Sequence, residues 1–334
     1  MLSPPQCVRG CRPGGPDFCA MNDVPTLSIV IPLYRSEGSI ARVVAELAAL
    51  PIEGGLEIVL VNDCSPDDTI GVCRQIVETC VVPVTVASHA RNFGEHNAVL
   101  TGLRHTRGRW VVTMDDDGQN PPVEVPKLLA AAQAGGFDVV FGDYRAVKEH
   151  ASWRNWGSAF TNAVAGWLLD KPRGLYLSSF RCLSRFIVDE IVRYEGPYPY
   201  IDGLILQSTR AVTAIPVAHM PREQGQSGYN LRRLVRLWLN MFTSFSVAPL
   251  RAATVLGLLL GALGVVGVGC VIYLYFAGKG PEFGWGSLMA ALLVFSGAQL
   301  VMLGVIGEYL GRAYLTANRR PQAVVREVLR GGRN

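Results

Sequence analysis

Two long uncharged stretches near the C-terminal end constrain this chain more than any other feature. Residues 252–277 and 283–307 contain no Asp, Glu, Lys or Arg. At about 1.5 Å per helical residue, each stretch is long enough to cross the roughly 30 Å hydrocarbon core of a bilayer. Residues 278–282 between them are too few to form a domain. The sequence therefore predicts a transmembrane hairpin over residues 249–310.

The charges around this hairpin predict its orientation. The connecting loop carries only Lys279 and Glu282, whereas arginines flank both ends of the hairpin. They are Arg232, Arg233, Arg236 and Arg251 before it, and Arg312, Arg319, Arg320, Arg326, Arg330 and Arg333 after it. Because basic residues favour the cytoplasmic side, we expect an inner-membrane protein with two spans and both termini in the cytoplasm.

Residues 229–248 precede the hairpin and predict an amphipathic helix lying in the membrane interface. Apolar residues recur there at helical spacing, at Leu231, Leu234, Val235, Trp238, Leu239 and Phe242. Three arginines lie largely off that stripe, a pattern typical of helices at a lipid surface. The alternative is a helix packed on its own domain.

Two terminal segments show no comparable pattern. Residues 1–25 hold five Pro and three Gly without periodicity, which predicts a disordered tail. Residues 311–334 are predicted to be a basic cytoplasmic tail.

The composition excludes several other classes of protein. Hydrophobic residues make up 49% of the chain and charged residues 17%, which excludes a disordered or fibrous protein. The net charge of +4 is too small to favour a nucleic-acid partner. None of the eight Cys forms a C-x-x-C pair, which argues against a zinc site.

Residues 26–228 are predicted to form an α/β domain with a mostly parallel sheet. Five apolar runs are predicted to be strands, at 27–32, 57–62, 84–88, 110–114 and 138–142. Four stretches between them are predicted to be helices, at 39–50, 69–80, 93–106 and 122–134. The runs are continuously apolar rather than alternating, which is typical of strands buried on both faces. Ligands of such sheets bind at the carboxyl ends of the strands.

An acidic run, Asp115-Asp116-Asp117, directly follows the fourth predicted strand. Three adjacent carboxylates repel one another, and a cation would relieve that repulsion. Oxygen ligands on alternate residues suit Mg²⁺ or Mn²⁺, with diphosphate oxygens completing the coordination shell. The alternative is a solvated acidic turn that caps the helix beginning at Pro122. The position at the carboxyl end of a strand favours the metal.

Polar residues also follow the three preceding strands. Tyr34 and Glu37 follow the first strand, Asp63 ends the second, and Arg91 and Asn92 follow the third. Asp63 could accept hydrogen bonds from a base or a ribose. Together with the acidic run, these clusters indicate a nucleotide-sugar site.

Four motifs carry a resemblance to a known family. They are Ile31-Pro32-Leu33-Tyr34-x-x-Glu37, Val61-Asn62-Asp63, Arg91-Asn92-Phe93-Gly94 and Met114-Asp-Asp-Asp-Gly-Gln-Asn-Pro-Pro122. This set resembles the family 2 glycosyltransferases of the GT-A fold. Within them it is most similar to the polyprenyl-phosphate sugar transferases, such as the dolichol-phosphate mannose synthases and the undecaprenyl-phosphate sugar transferases. The resemblance covers about residues 27–325.

The resemblance implies a role for each residue of the donor site. Asp63 would contact the nucleotide base. Asp115 and Asp117 would be the paired metal-binding carboxylates for Mg²⁺ or Mn²⁺, with Gln119 as a third ligand. The remaining contacts to the nucleotide sugar would come from Pro32, Tyr34, Glu37, Arg91, Asn92 and Asp116.

The resemblance also implies an acceptor-phosphate site, formed by Arg154, Arg222, Ser227 and Ser179. Asp115, Asp117 and Arg222 would be the catalytic residues. Many family members carry an Asp at the position of Ser179, and a serine is not an effective general base. A polyprenyl phosphate is mostly dianionic at neutral pH, so its oxygen needs no deprotonation to attack.

These observations predict an inverting glycosyltransferase that moves one sugar from a nucleotide-diphosphate sugar to polyprenyl phosphate at the cytoplasmic membrane face. A lipid bilayer and both substrates are the expected partners, and a homo-oligomer is compatible with this expectation. A processive polysaccharide synthase is one alternative, although such enzymes usually have more spans. A non-catalytic membrane scaffold that retains a nucleotide-binding domain is another.

Overall fold

The computed structural model describes residues 24–144, 172, 174–218, 220, 248–278, 284–318 and 321–331. Within these residues, eight strands form one mixed sheet. The strands are β1 Leu27–Leu33, β2 Leu56–Asn62, β3 Val84–His89, β4 Trp110–Thr113, β5 Val139–Asp143, β6 Arg181–Ser184, β7 Val212–Pro216 and β8 Val325–Gly331. Their order across the sheet is β7-β5-β6-β4-β1-β2-β3-β8.

Eight α-helices accompany the sheet in the described part of the chain. They are α1 Ile40–Ala48, α2 Thr69–Thr79, α3 Glu95–Arg104, α4 Val125–Gly135, α5 Arg185–Ile191, α6 Ile201–Ser208, α7 Ala248–Phe276 and α8 Trp285–Ala317. A 3₁₀ turn, Pro122–Glu124, leads into α4. All five predicted strands and all four predicted helices of the N-terminal half are present.

The central strands β4-β1-β2-β3 pair in parallel, whereas β6 and β8 run antiparallel to their neighbours. Helices α1, α2 and α4 cover one face of the sheet, and α3, α5 and α6 cover the other. Alternate residues of β1 therefore enter different cores, Ile29 and Ile31 one and Val30 the other. This double burial explains the continuous apolar runs and confirms the predicted α/β fold with a mostly parallel sheet.

Close packing of α3 on the sheet depends on Gly102. A Cβ atom at this position would lie 2.3 Å from a methyl carbon of Val30 and 3.1 Å from one of Val61. Any larger residue would therefore push α3 away from β1 and β2.

Helices α7 and α8 are long and apolar enough to cross a membrane. The spans with this property are Leu250–Phe276 and Val294–Ala317, and the most apolar part of each span is not buried inside the protein. The helical structure of α8 continues past the predicted boundary at residue 310. Much of the predicted interfacial helix, residues 229–247, and most of the predicted N-terminal tail lie outside the described residues.

The chain returns to the sheet after α8, which the sequence analysis does not anticipate. Residues 325–331, assigned above to a basic tail, form β8 and pair antiparallel with β3. Glu327 on β8 accepts two hydrogen bonds from Arg74 on α2, each 3.1 Å long. The apolar residues of β8 are few, and Arg326 and Arg330 lie among them. From the sequence alone, these charges favour a solvent-exposed tail over a strand.

The end of α8 also contacts the sheet domain. The Arg312 guanidinium lies over the Tyr198 ring, 5.1 Å from its centroid. Beyond the helix, the Gln322 side-chain amide donates to the backbone carbonyls of Tyr194 and Gly196, at 2.9 and 2.7 Å. The C-terminal end of α8 and the segment after it are therefore both attached to the sheet domain.

We expect Leu329→Ala to lower the free energy of unfolding by about 2 kcal/mol, since Leu329 packs against the core on the face of α1 and α2. Val328→Ala is the matched control, because Val328 is 39% exposed on the opposite face of β8. Thermal unfolding in detergent measures both variants. Equal midpoints for the two variants would contradict the packing of β8 described above.

Candidate active site

The candidate site lies where the parallel strands β1 to β4 end. Parallel register places their carboxyl termini at one edge of the sheet. The Asp63 backbone amide donates to the Leu33 carbonyl at 3.0 Å, which joins the ends of β2 and β1. Polar residues that follow different strands are thereby brought together, as the sequence predicts.

Each carboxylate of the acidic run accepts a hydrogen bond, and two of the three carboxylates are bonded to distant segments. Asp115 accepts a hydrogen bond from the Ser179 hydroxyl at 2.5 Å. Asp116 accepts one from the Ser36 hydroxyl and a longer one, 3.4 Å, from the Tyr34 backbone amide. Asp117 accepts a bond from the Gln119 backbone amide at 3.1 Å. The run is therefore an organised structure rather than a freely solvated turn.

The acidic run nevertheless carries unfavourable charge. Burial raises the pKa of Asp115 to about 6, and Glu95 and Asp117 add to the rise, against the Ser179 hydrogen bond and Arg181. Burial likewise raises the pKa of Asp116 to about 6, against the hydrogen bonds from Ser36 and Tyr34. Raised pKa values mean that the ionised forms are destabilised here. A cation placed among these groups would stabilise them.

The residues fit a divalent ion that is completed by substrate oxygens. In the described ranges, no three His, Cys, Asp or Glu side chains form a ready-made cage for a metal. The available donors are carboxylate oxygens and the Gln119 amide oxygen, which suit a hard cation. Mg²⁺ usually binds one or two carboxylates together with substrate phosphates. Asp115, Asp117 and Gln119 match that second type of site.

Gln119 is held in place by the segment that follows β7. Its backbone carbonyl accepts from the Met220 amide at 2.9 Å, and its side-chain amide donates to the Met220 carbonyl at 3.4 Å. The side-chain nitrogen of Gln119 is thereby occupied, and its side-chain oxygen is the atom that could bind a metal ion. The assignment of Gln119 as a metal ligand stays a prediction.

Asp63 has a demanding structural role. Its carboxylate accepts from the backbone amides of Phe93 and Gly94, at 2.8 and 2.7 Å, and lies 2.7 Å from His89 Nδ1. Asp63 and His89 are both buried, and His89 Nε2 lies 2.9 Å from the Thr101 hydroxyl. A carboxylate has about four acceptor positions, so one remains for a ligand. The predicted contact with a nucleotide base is thus limited to that position.

The predicted donor-site residues on β1 lie beside this group. Tyr34 is 48% exposed, so a ligand can reach its ring, and Pro32 is half-buried within β1. Glu37 is exposed, and its carboxylate accepts from the Asp68 backbone amide at 2.7 Å. In return, the Glu37 amide donates to Asp67 at 3.3 Å. Glu37 therefore joins the turns that follow β1 and β2.

Arg91 and Asn92 lie on the exposed turn between β3 and α3. The Arg91 guanidinium stacks over the Phe93 ring at 4.7 Å, in a turn whose backbone Asp63 holds. Arg91 therefore presents a cation at the edge of the site. Three predicted residues of the acceptor-phosphate site, Arg154, Arg222 and Ser227, lie outside the described residues.

The sequence analysis missed four residues of this site. Ser36 binds Asp116, and Arg181 forms an ion pair with Asp202. Glu95 begins α3, and the protein packed around its carboxyl group raises its pKa, against the nearby charge of Arg181. Ser36 lies within one of the recognised motifs and Glu95 directly follows another, which is a usable signal. The pairing of Arg181 with Asp202 joins distant segments and leaves no local pattern.

Comparison with known proteins places this site in a family. Residues 28–191 match the family model described as Glycosyl transferase family 2. The chain is 34% identical to the undecaprenyl-phosphate 4-deoxy-4-formamido-L-arabinose transferase of Pseudomonas savastanoi, over 91% of each chain. It is 31% identical to the protein of that name from Klebsiella pneumoniae, over 92% of this chain and 94% of the relative.

Solved structures resemble the chain more distantly. Glucosyl-3-phosphoglycerate synthase from Mycobacterium tuberculosis, crystallised with Mn²⁺, uridine diphosphate and phosphoglyceric acid, is 18% identical with a TM-score of 0.49. The match covers 66% of this chain and 76% of that one. TarS residues 1–349 from S. aureus are 16% identical with a TM-score of 0.43, over 58% and 59% of the two chains.

We expect Asp63→Asn to destabilise the turn between β3 and α3. The Asn oxygen can replace one acceptor, whereas its NH₂ group would face a backbone N–H, so about 1–3 kcal/mol of stability is lost. Thermal unfolding measures this loss, and trypsin cleavage after Arg91 reports on the turn itself.

Asp68→Asn is the control for this variant, because Asp68 is exposed and lies in a different turn, between β2 and α2. Unchanged stability and unchanged cleavage in Asp63→Asn would show that Asp63 does not hold the turn.

Proposed function

The chain belongs to glycosyl transferase family 2, and we propose that this glycosyltransferase moves one sugar from a nucleotide-diphosphate sugar to polyprenyl phosphate. The relatives are named for undecaprenyl phosphate, which we propose as the acceptor here. The observation that carries the proposal is the extent of the likeness. It covers 91% of both chains and therefore reaches from the strand-end site into the apolar helices.

The proposed reaction is a single displacement. An oxygen of the lipid phosphate attacks the anomeric carbon of the sugar, and the bond from that carbon to the diphosphate breaks. The nucleoside diphosphate leaves with the electron pair, and the configuration at the anomeric carbon inverts. The attacking phosphate is already ionised, so no general base is required. Ser179 in place of an acidic residue is compatible with this chemistry.

The site residues would orient the donor and accommodate charge. Asp115 and Asp117, with Gln119, would hold a divalent cation, which supplies charge stabilisation to the departing diphosphate. Tyr34 and Arg91 are accessible at the rim of the site, where they would contact the nucleotide sugar. Arg222, with Arg154, Ser227 and Ser179, would bind phosphate oxygens of the acceptor, since a guanidinium matches phosphate geometry and a hydroxyl can donate to a phosphate oxygen.

The attachment of β8 supports the proposed arrangement at the membrane. Helices α7 and α8 lie between β7 and β8 in the chain, and both strands belong to one sheet. If α7 and α8 cross the bilayer, the hairpin must leave and re-enter the same side. The flanking arginines favour the cytoplasm for that side. A lipid phosphate at the cytoplasmic surface would then lie near the strand-end site.

A transfer assay tests the proposal. Membranes containing the protein are incubated with undecaprenyl phosphate, a divalent cation and a panel of radiolabelled nucleotide sugars. One labelled sugar per lipid is the expected product. A long polymer would indicate a processive synthase instead, and metal-dependent donor binding without any transfer would indicate a non-catalytic scaffold.

We expect Asp117→Asn to reduce transfer by at least about a hundredfold while the protein remains folded in the membrane. The amide keeps the size of the side chain but removes the charge that offsets a cation. Transfer is measured over a range of Mg²⁺ and Mn²⁺ concentrations.

Asp138→Asn serves as the control, because Asp138 directly precedes β5, at the end of the strand that is away from the site. Its carboxylate accepts hydrogen bonds from Ser184 and Thr209. Near-normal turnover of Asp117→Asn at saturating metal would refute the role of Asp117 in metal binding.

A further inference from the structure

An ion pair with a buried guanidinium lies close to the acidic run. Arg181, the first residue of β6, is 3% exposed, and its guanidinium pairs with Asp202 in the first turn of α6. A buried guanidinium requires such a partner, since an uncompensated charge is strongly unfavourable. The pair therefore fixes the position of Arg181 between β6 and α6.

Arg181 is connected to the end of β4 through Thr113. Arg181 Nε donates to the Thr113 hydroxyl oxygen at 3.2 Å, and these two residues are also cross-strand neighbours. The Thr113 hydroxyl in turn donates to the Ser179 backbone carbonyl at 2.6 Å. Thr113 is 1% exposed, so this hydroxyl has no access to bulk water.

Ser179 completes the connection to the acidic run. Its hydroxyl donates to Asp115 at 2.5 Å, while the Thr113 hydroxyl holds its carbonyl. The hydrogen bonds thus run from Asp202 through Arg181, Thr113 and Ser179 to Asp115. Ser179 is thus bonded to two positions at the end of β4, Thr113 and Asp115.

We propose that Thr113 and Ser179, anchored by the pair of Arg181 and Asp202, are positioning residues that fix the Asp115 carboxylate for the transfer reaction. This inference rests on the proposed function and adds residues to its site. The positioning role needs no contact with a substrate, and the contact of Ser179 with the acceptor phosphate stays a separate prediction. Partners of this kind that orient a metal-binding carboxylate typically contribute about ten- to a hundredfold in metal affinity or activity.

The test compares variants of the full chain in detergent. Thr113→Val removes a hydroxyl while keeping size and strand preference, and Ser179→Ala removes only the bond to Asp115. The dissociation constant of Mn²⁺ alone is measured from the electron paramagnetic resonance signal of the free ion. We expect each variant to raise this constant about tenfold, and Thr113→Ser to restore it.

Ser178→Ala is the matched control. Ser178 is the adjacent buried serine, but its hydroxyl donates to the carbonyls of Gly142 and Phe180 rather than to a carboxylate. The Mn²⁺ dissociation constant of Ser178→Ala should stay within about twofold of the wild-type value, even if the unfolding midpoint of this variant falls. The double variant Thr113→Val/Ser179→Ala should bind Mn²⁺ no more weakly than the single variant with the lower affinity, because both substitutions act on one chain of hydrogen bonds.

Two results would overturn the inference: an unchanged Mn²⁺ constant in Thr113→Val, or fully additive effects in the double variant. The wild-type transfer assay separates this failure from failure of the proposed function. A wild-type protein that transfers sugar while Thr113→Val binds Mn²⁺ normally refutes only the positioning role. A wild-type protein without transfer activity refutes the function itself.

Discussion

Repulsion among three consecutive carboxylates is the constraint on which the candidate site depends. Asp115, Asp116 and Asp117 follow a strand whose last three residues are buried, where water cannot screen them well. The carboxylates accept hydrogen bonds from Ser179 and Ser36, which lie in other segments of the chain, and from the backbone amide of Gln119 in the same turn. These bonds leave the negative charge in place, so a cation and its diphosphate can bind there.

The sheet makes this arrangement possible. Parallel pairing of β1 to β4 brings four polar turns to one edge, and helices on both faces exclude water from the strands. Strand β8 extends the same sheet after the apolar hairpin, and Gln322 and Arg312 add contacts near its start. Movement of the hairpin relative to the site is therefore opposed by contacts with the segment between α5 and α6 and by pairing along β3. The proposed lipid acceptor needs such a fixed relation between site and membrane.

Local patterns in the sequence predict much of this structure. Continuous apolar runs predict the strands of the N-terminal half because both faces of the sheet are covered, and motif positions predict that Asp63, Asp115 and Tyr34 meet. The sequence does not predict β8, whose seven residues carry three charges. It also does not predict the pair of Arg181 and Asp202, because tertiary folding alone brings them together. Asp63 is another example, because the motif identifies the residue but does not predict the three hydrogen bonds that its carboxylate makes within the protein.

The repulsion among these carboxylates is tested most directly by the pH dependence of the protein's stability in the absence of metal. Burial raises the pKa of Asp115 from 3.8 to about 6, so the folded state binds this proton more tightly than the unfolded state. The stability from this group is full below pH 3.8 and is lost as pH rises through 6. Burial lowers the pKa of His96 to about 4, which gives the opposite slope, so wild type must be compared with Asp115→Asn in a chelator. The account predicts that Asp115→Asn gains stability relative to wild type between about pH 4 and pH 7. A difference in unfolding midpoint that stays constant over this range would contradict it.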